Sequence, residues 1–98
     1  IQCLYMPSEV YHKDVWFSGR VQGVGFRLQT MYIARGYDVT GQVQNMNDGR
    51  VFLQAEGTEK EVSAFLDEIK RQMKSYIRDT EERSFSGAPC FKDFRIVH

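Results

Sequence analysis

Val39-Thr40-Gly41-Gln42-Val43-Gln44-Asn45-Met46-Asn47-Asp48-Gly49-Arg50-Val51-Phe52-Leu53-Gln54-Ala55-Glu56 decides the fold, because it holds two strands and the turn that joins them. Val39, Gly41 and Val43 alternate with Thr40, Gln42 and Gln44; past the turn, Val51, Leu53 and Ala55 alternate with Phe52, Gln54 and Glu56. Period-two alternation marks a strand with one buried face. Asn47-Asp48-Gly49 is a strong hairpin signal, since these residues tolerate the positive φ of a tight turn. A hairpin therefore occupies the middle of the chain, and what flanks it sets the architecture.

On its C-terminal side Thr58 and Glu61 have the spacing of a capping box. They open a helix whose apolar stripe is Val62, Phe65, Leu66, Ile69 and Met73, with charges opposite. On its N-terminal side Phe26, Thr30, Ile33 and Ala34 share one helical face, and Gly36 is expected to end that helix in the usual C-terminal position. Further out, Lys13 to Val21 alternates as a half-buried strand, with Val15, Phe17 and Val21 on one face and Trp16, Ser18 and Arg20 on the other. Tyr76 to Phe85 reads as a weaker strand and Phe91 to Val97 as a short terminal one. The order strand, helix, hairpin, helix, strand is the split βαβ pattern. It predicts an α+β, ferredoxin-like two-layer sandwich (βαββαβ), with an antiparallel sheet, two helices on one face and an additional short C-terminal strand. Residues 1–12 lack periodicity and are expected to form an arm ahead of a domain over 13–98.

A chain of 98 residues, 42% hydrophobic and 27% charged, suits one folded domain and excludes a disordered one. Thirteen basic and thirteen acidic residues cancel, so no global field draws the chain to nucleic acid or to an acidic membrane. No apolar run approaches a membrane span, and there is no signal-peptide pattern. Cys3 and Cys90 do not make a disulfide scaffold, and whether they pair is open; a reduced, cytoplasmic chain, acting as a monomer, is expected. The chain opens at Ile1, so it can belong to a longer protein.

The chemistry concentrates in Gly19-Arg20-Val21-Gln22-Gly23-Val24-Gly25-Phe26-Arg27. Glycines let consecutive backbone N–H groups converge into a concave nest, and this one leads into a helix N-terminus, where free N–H groups and the macrodipole favour an anion. Arg27 in the first turn opposes the dipole unless a bound anion offsets it. No Asp or Glu occurs from Val15 through Tyr37, whereas Arg20, Arg27 and Arg35 do. On spacing alone a phosphate site and a glycine-rich turn with a solvated arginine both fit. The P-loop pattern fails at Phe26-Arg27-Leu28, and the dinucleotide fingerprint lacks its third glycine at Leu28.

The string from Gly19 to Arg27 resembles the signature loop of the acylphosphatase family. Gly41-Gln42-Val43-Gln44-Asn45 is similar to the family's second motif, and the likeness continues through Asp48-Gly49 to Asp93-Phe94-Arg95-Ile96-Val97. The resemblance implies a ferredoxin-like fold and metal-free hydrolysis of the carboxyl–phosphate bond of acyl phosphates. It assigns phosphate binding to Arg27 within the loop Val21, Gln22, Gly23, Val24, Gly25, Phe26 and Arg27, and orientation of the attacking water to Asn45. Inorganic phosphate, the product, is the expected competitive inhibitor. Gln42 stands where the family usually has an aromatic, Gly25 precedes Phe26, and residues 1–12 extend the usual start; these departures bear on substrate preference and surface partners. Acylphosphatase-like domains also open larger carbamoyl-transfer proteins that mature hydrogenases, but the ending Phe94-Arg95-Ile96-Val97-His98 looks like that of a stand-alone enzyme.

The residue types suit the reaction. A carboxylate leaves without a strong general acid, and what remains is to hold a phosphoryl group with water in line behind it. A guanidinium fork matches phosphate oxygens, and an asparagine amide can orient water without titrating. His12 and His98 lie near the chain ends, no triad is legible, and two cysteines are too few for a zinc site, so neither a covalent nucleophile nor a metal nor a cofactor is expected. Taken alone, Asn45 reads as a turn-former and Gln22 as a loop-ordering side chain. A competing class is a non-catalytic ligand- or RNA-binding module: Trp16 and Phe52 point away from the helices on neighbouring strands, with Arg20 and Arg50 on the same face. Arg50-Val51-Phe52-Leu53-Gln54-Ala55 lacks the aromatic pattern of RNA-recognition strands, and cover of the aromatic pair by Leu4, Tyr5, Met6 or Tyr11, or a protein contact, is the favoured account.

Overall fold

The computed structural model describes residues 9–98. Its elements are β1 (Val10–Gly19), α1 (Phe26–Ala34), β2 (Val39–Asn45), β3 (Val51–Gly57), α2 (Glu59–Gln72), β4 (Ile77–Gly87) and β5 (Phe94–Val97). The strands form one sheet in the order β4-β1-β3-β2-β5, with both helices on one face, so the expected ferredoxin-like sandwich is the fold. The sheet is mixed rather than wholly antiparallel, because β5 pairs in parallel with β2. The cause is topological. β4 runs antiparallel to β1 at one edge, and residues 88–93 turn the chain back before it joins the opposite edge beside β2.

The core lies between sheet and helices. Val15 and Phe17 of β1, Val43 of β2, Val51 of β3 and Phe65 and Ile69 of α2 are fully buried. Phe17 packs on Phe26 at 5.0 Å between ring centres, and Phe94 meets Phe65 edge-on at 5.5 Å. The α2 stripe read from the sequence is the buried one, down to Met73.

Element ends differ from expectation. β1 starts at Val10 and stops at Gly19, yet Val21 still reaches the core from the loop beyond, so the alternation identified the face and not the end. α1 does end just before Gly36, as expected, but without a positive φ there. The helix instead closes by tightening, with Gly36 N–H donating to Ile33 O at 3.0 Å and Tyr37 N–H to Ala34 O at 3.1 Å. Thr58 Oγ1 accepts from Glu61 N at 3.2 Å as a cap should, but the Glu61 carboxylate turns away and accepts from Asp38 N at 2.8 Å, so half of the capping box forms. No described helix is long and apolar enough to cross a membrane.

Candidate active site

After Gly19 the chain leaves the sheet, and Gly23 (φ 78°) and Gly25 (φ 79°) take left-handed conformations that let it turn into α1. Gly25 is the N-cap, with no side-chain hydrogen bond, and no acid occupies the first turn. The first helical hydrogen bond runs from Gln29 N–H to Gly25 O at 3.0 Å, leaving the earlier N–H groups without helical acceptors. Val21 and Phe26, both buried, pin the two ends of the loop to the core.

Arg27 follows at once, and its Nη1 donates to the Val97 carbonyl at 3.0 Å, so β5 holds the guanidinium in place. Gln22 Nε2 donates to Met46 O at 2.8 Å and to Arg50 O at 2.9 Å, clamping the loop to the hairpin turn. Asn45 is the exposed last residue of β2, opposite Val51 at the mouth of that turn. A depression of about 290 Å³ results, lined by Val21, Gly23, Gly25, Phe26, Arg27 and Asn45 together with Leu28, Ile96 and His98. Gln22 faces the hairpin and Val24 packs on the core; neither lines the depression. His98 does line it, a placement that its position at the chain end did not signal.

Asp48 is the carboxylate of the neighbouring turn, and the Arg50 N–H holds it below the usual carboxylate range, with the Arg50 side chain adding to this at 2.8 Å. It is ionised and engaged, so it offers no free base to the site. A larger hollow, about 640 Å³, lies at the opposite end of the sheet, but Glu9, Asp38, Glu56 and Glu59 line it and would repel a phosphoryl group. Size and chemistry point to different places, and the charge decides for the smaller one.

A family model described as acylphosphatase matches residues 13–96. The chain belongs to the acylphosphatase family. With the family comes its activity, hydrolysis of the carboxyl–phosphate bond of acyl phosphates. The acylphosphatase of Thermotoga maritima is 49% identical over 80 residues, 82% of this chain and 89% of that one. The crystal structure of acylphosphatase from Bacillus subtilis aligns with a TM-score of 0.71 at 28% identity, over 90% of this chain and 99% of its own. Full-length HypF, in a phosphate- and nucleotide-bound form, aligns at TM-score 0.70 and 30% identity over 95% of this acylphosphatase chain but only 12% of its own.

The open sheet face bears on the competing binding-module reading. Trp16 and Phe52 are register partners and stack at 4.7 Å, as strand parity predicts. Arg83 of β4 lies over the indole at 6.0 Å, so the ring is flanked from both neighbouring strands and a base would have to displace one of them. Tyr11 does not cover the pair, because it lies on the helix side against the core. Leu4, Tyr5, Met6 and Cys3 lie outside the described residues.

Proposed function

We propose that Arg27 and the loop Val21–Arg27 bind the phosphoryl end of an acyl phosphate while Asn45 orients the attacking water. The observation that carries this reading is the convergence of three features on one small depression: Arg27 fixed on Val97, an uncapped helix N-terminus, and Asn45 at the end of β2. Arg27 uses one N–H direction on Val97 O and keeps the rest of its fork for phosphate oxygens. Backbone N–H groups of the loop share the developing charge in a site that needs no rearrangement to meet it. Water attacks phosphorus, the bond to the acyl oxygen breaks with its electron pair, and a carboxylate departs; the water's proton passes to solvent or to the phosphate product. Such a leaving group asks for no acid, and the chain's own donors supply the charge stabilisation, so turnover proceeds without a metal.

The enzyme acts as a cytoplasmic monomer in this reading. Among the described residues Cys90 is exposed and unbridged, which suits a reducing compartment, and the edge strand β4 carries Arg78, Asp79, Glu81, Glu82 and Arg83, charges that discourage pairing with another sheet. The test is hydrolysis of a simple aryl acyl phosphate with and without chelator. Full turnover with chelator and competitive inhibition by inorganic phosphate are expected; activity abolished by chelator rejects the mechanism.

A further inference from the structure

We propose that His12, Glu56 and Cys90 form a binding site for one zinc-class divalent cation, at the end of the sheet opposite the phosphate depression. His12 and Glu56 are register partners on β1 and β3, 4% and 2% exposed, and Cys90 sits on the crossover from β4 to β5. Their ligand atoms all lie within 4.8 Å of one another.

The contacts of His12 supply a second argument. His12 Nε2 lies 3.2 Å from the Gly87 carbonyl and 3.0 Å from that of Ala88. Carbonyls only accept, so Nε2 donates, and Nδ1 lies 3.6 Å from Glu56 Oε1. The second ring nitrogen thus meets a buried carboxylate, and a cation satisfies both, as a proton on Nδ1 or as a metal ion between the two. The separation is too long for a hydrogen bond, whose limit is about 3.2 Å. It is close to the roughly 3.4 Å that separates nitrogen and oxygen ligands bound tetrahedrally at about 2.0–2.1 Å from zinc.

The surroundings are those of a held ligand set. A metal-bound histidine characteristically donates its other N–H to a carbonyl, as Nε2 does here, and the ring is also stacked on Phe85 at 4.6 Å. Glu56 Oε2 accepts from Thr40 Oγ1 at 3.1 Å and Phe91 N at 3.2 Å, which orients the carboxylate. Cys90 N–H donates to Glu56 Oε1 at 2.8 Å and so tethers the thiol beside it. The thiol's only described contact is a long one to Ala88 O at 3.5 Å, and a small swing brings it to the ion. Neutral imidazole, carboxylate and thiolate together balance a divalent charge, the thiol proton passes to solvent, and this borderline donor set suits zinc. A fourth position is left to water. The ion would fasten the 88–93 crossover to β1 and β3 and raise thermal stability without touching the phosphate site.

The test uses the full chain carrying Cys3→Ser, so that Cys90 is the sole thiol, titrated with cobalt(II) as spectroscopic probe and then zinc(II). One cobalt per chain with a thiolate charge-transfer band, displaced by zinc, is expected, with zinc raising the melting temperature and slowing reaction of Cys90 with a thiol reagent. Adding Cys90→Ser should remove the band and weaken zinc binding by more than the roughly tenfold minimum that losing an outer partner costs. Absence of the band in folded protein, or unchanged zinc affinity in the Cys90→Ser variant, overturns the proposal; a second proton on His12 Nδ1 in the presence of zinc, seen by nitrogen NMR, does so independently.

Discussion

At the end of the sheet where β1 gives way to α1, the chain presents glycines, free backbone N–H groups and Arg27, with Asn45 facing them. At the other end, where β1 begins and β3 finishes, it buries His12 against Glu56 and lines a wider hollow with acids. About 3.3 Å per residue along β1 separates the two by roughly 20 Å. A chain of zero net charge has sorted its signs, and the sorting tells the two ends apart better than cavity size does. The two proposals put an anion at the first end and a cation at the second. Gly23 and Gly25 in its lining leave backbone amides open to a phosphoryl group, where larger side chains would block the approach.

The largest expected effect concerns Asn45 and Arg27, whose loss should disable one end and leave the other intact. Asn45→Ala should lower kcat by roughly a hundred- to several-thousand-fold, about 3–5 kcal/mol of barrier, with phosphate affinity near that of the parent. Arg27→Lys should lose most activity and also phosphate affinity, because an ammonium lacks the fork. Calorimetry with phosphate beside steady-state kinetics separates the two roles. A folded Asn45→Ala chain with near-native kcat refutes the first, and unchanged phosphate affinity in Arg27→Lys refutes the second.

Gly41 supports both ends, since it sits mid-sheet with φ 153° and a Cβ there would meet the Gln54 carbonyl oxygen at 1.9 Å. Gly41→Ala should destabilise the fold by about 3 kcal/mol or more, through backbone displacement of β3 and left-handed strain. Denaturant unfolding measures it, and a loss below about 1 kcal/mol would show that β3 yields without cost.

The different legibility of the two ends has a physical origin. The first end could be read because its parts are local: the glycines, the helix start and Arg27 occupy nine consecutive residues, and Asn45 closes an alternating strand. Its clamp was only half legible, since Gln22 is recognisable as a loop-ordering residue but its acceptors, Met46 O and Arg50 O, exist only once the hairpin folds beside it. The second end is assembled across 34 residues between Glu56 and Cys90 alone, and no period or spacing joins them. His12 belongs to β1 and not to an arm, because the strand extends past the point where apolar alternation stops; on its open face His12 and Asp14 are polar and nonetheless buried. The parallel pairing of β5 was hidden for a similar reason, as direction depends on which edge the chain reaches and not on composition.

Gln22→Ala sharpens the comparison at a smaller scale, by loosening the loop from the hairpin while keeping the loop's backbone N–H groups, Arg27 and Asn45. Two half-buried hydrogen bonds to carbonyls are lost, so stability should fall by about 1–2 kcal/mol and kcat/KM by about tenfold. Zinc or cobalt binding at the other end should not change. Kinetics and metal titration on the same preparation check both, and a parallel loss at the two ends would mean that they are not independent.

The smallest effect is expected from the acids that lie between the ends. Glu68 on α2 is held down to about 2 by hydrogen bonds from Arg71 and then Gln72. Glu82 on β4 is lowered as well, burial acting to raise it but Lys70 and Lys13 outweighing that from 2.5 Å and 3.2 Å. A carboxylate whose folded value lies below its unfolded value near 4.3 stabilises the fold above that pH. The melting temperature should therefore be insensitive to these groups from pH 7 to about 5, then decline as pH falls below about 4.3, the contribution of Glu68 being lost toward about 2. Glu68 bonds only to Arg71 and Gln72 one turn on, so its share is small and fades with added salt, whereas Glu82 joins β1, β4 and α2 and should carry more. Melting curves of Glu68→Gln and Glu82→Gln against pH distinguish them. Glu82→Gln should lower the neutral-pH melting temperature and flatten the acid decline, and a decline as steep as the parent's would show that the Lys13–Glu82–Lys70 link contributes nothing to acid stability.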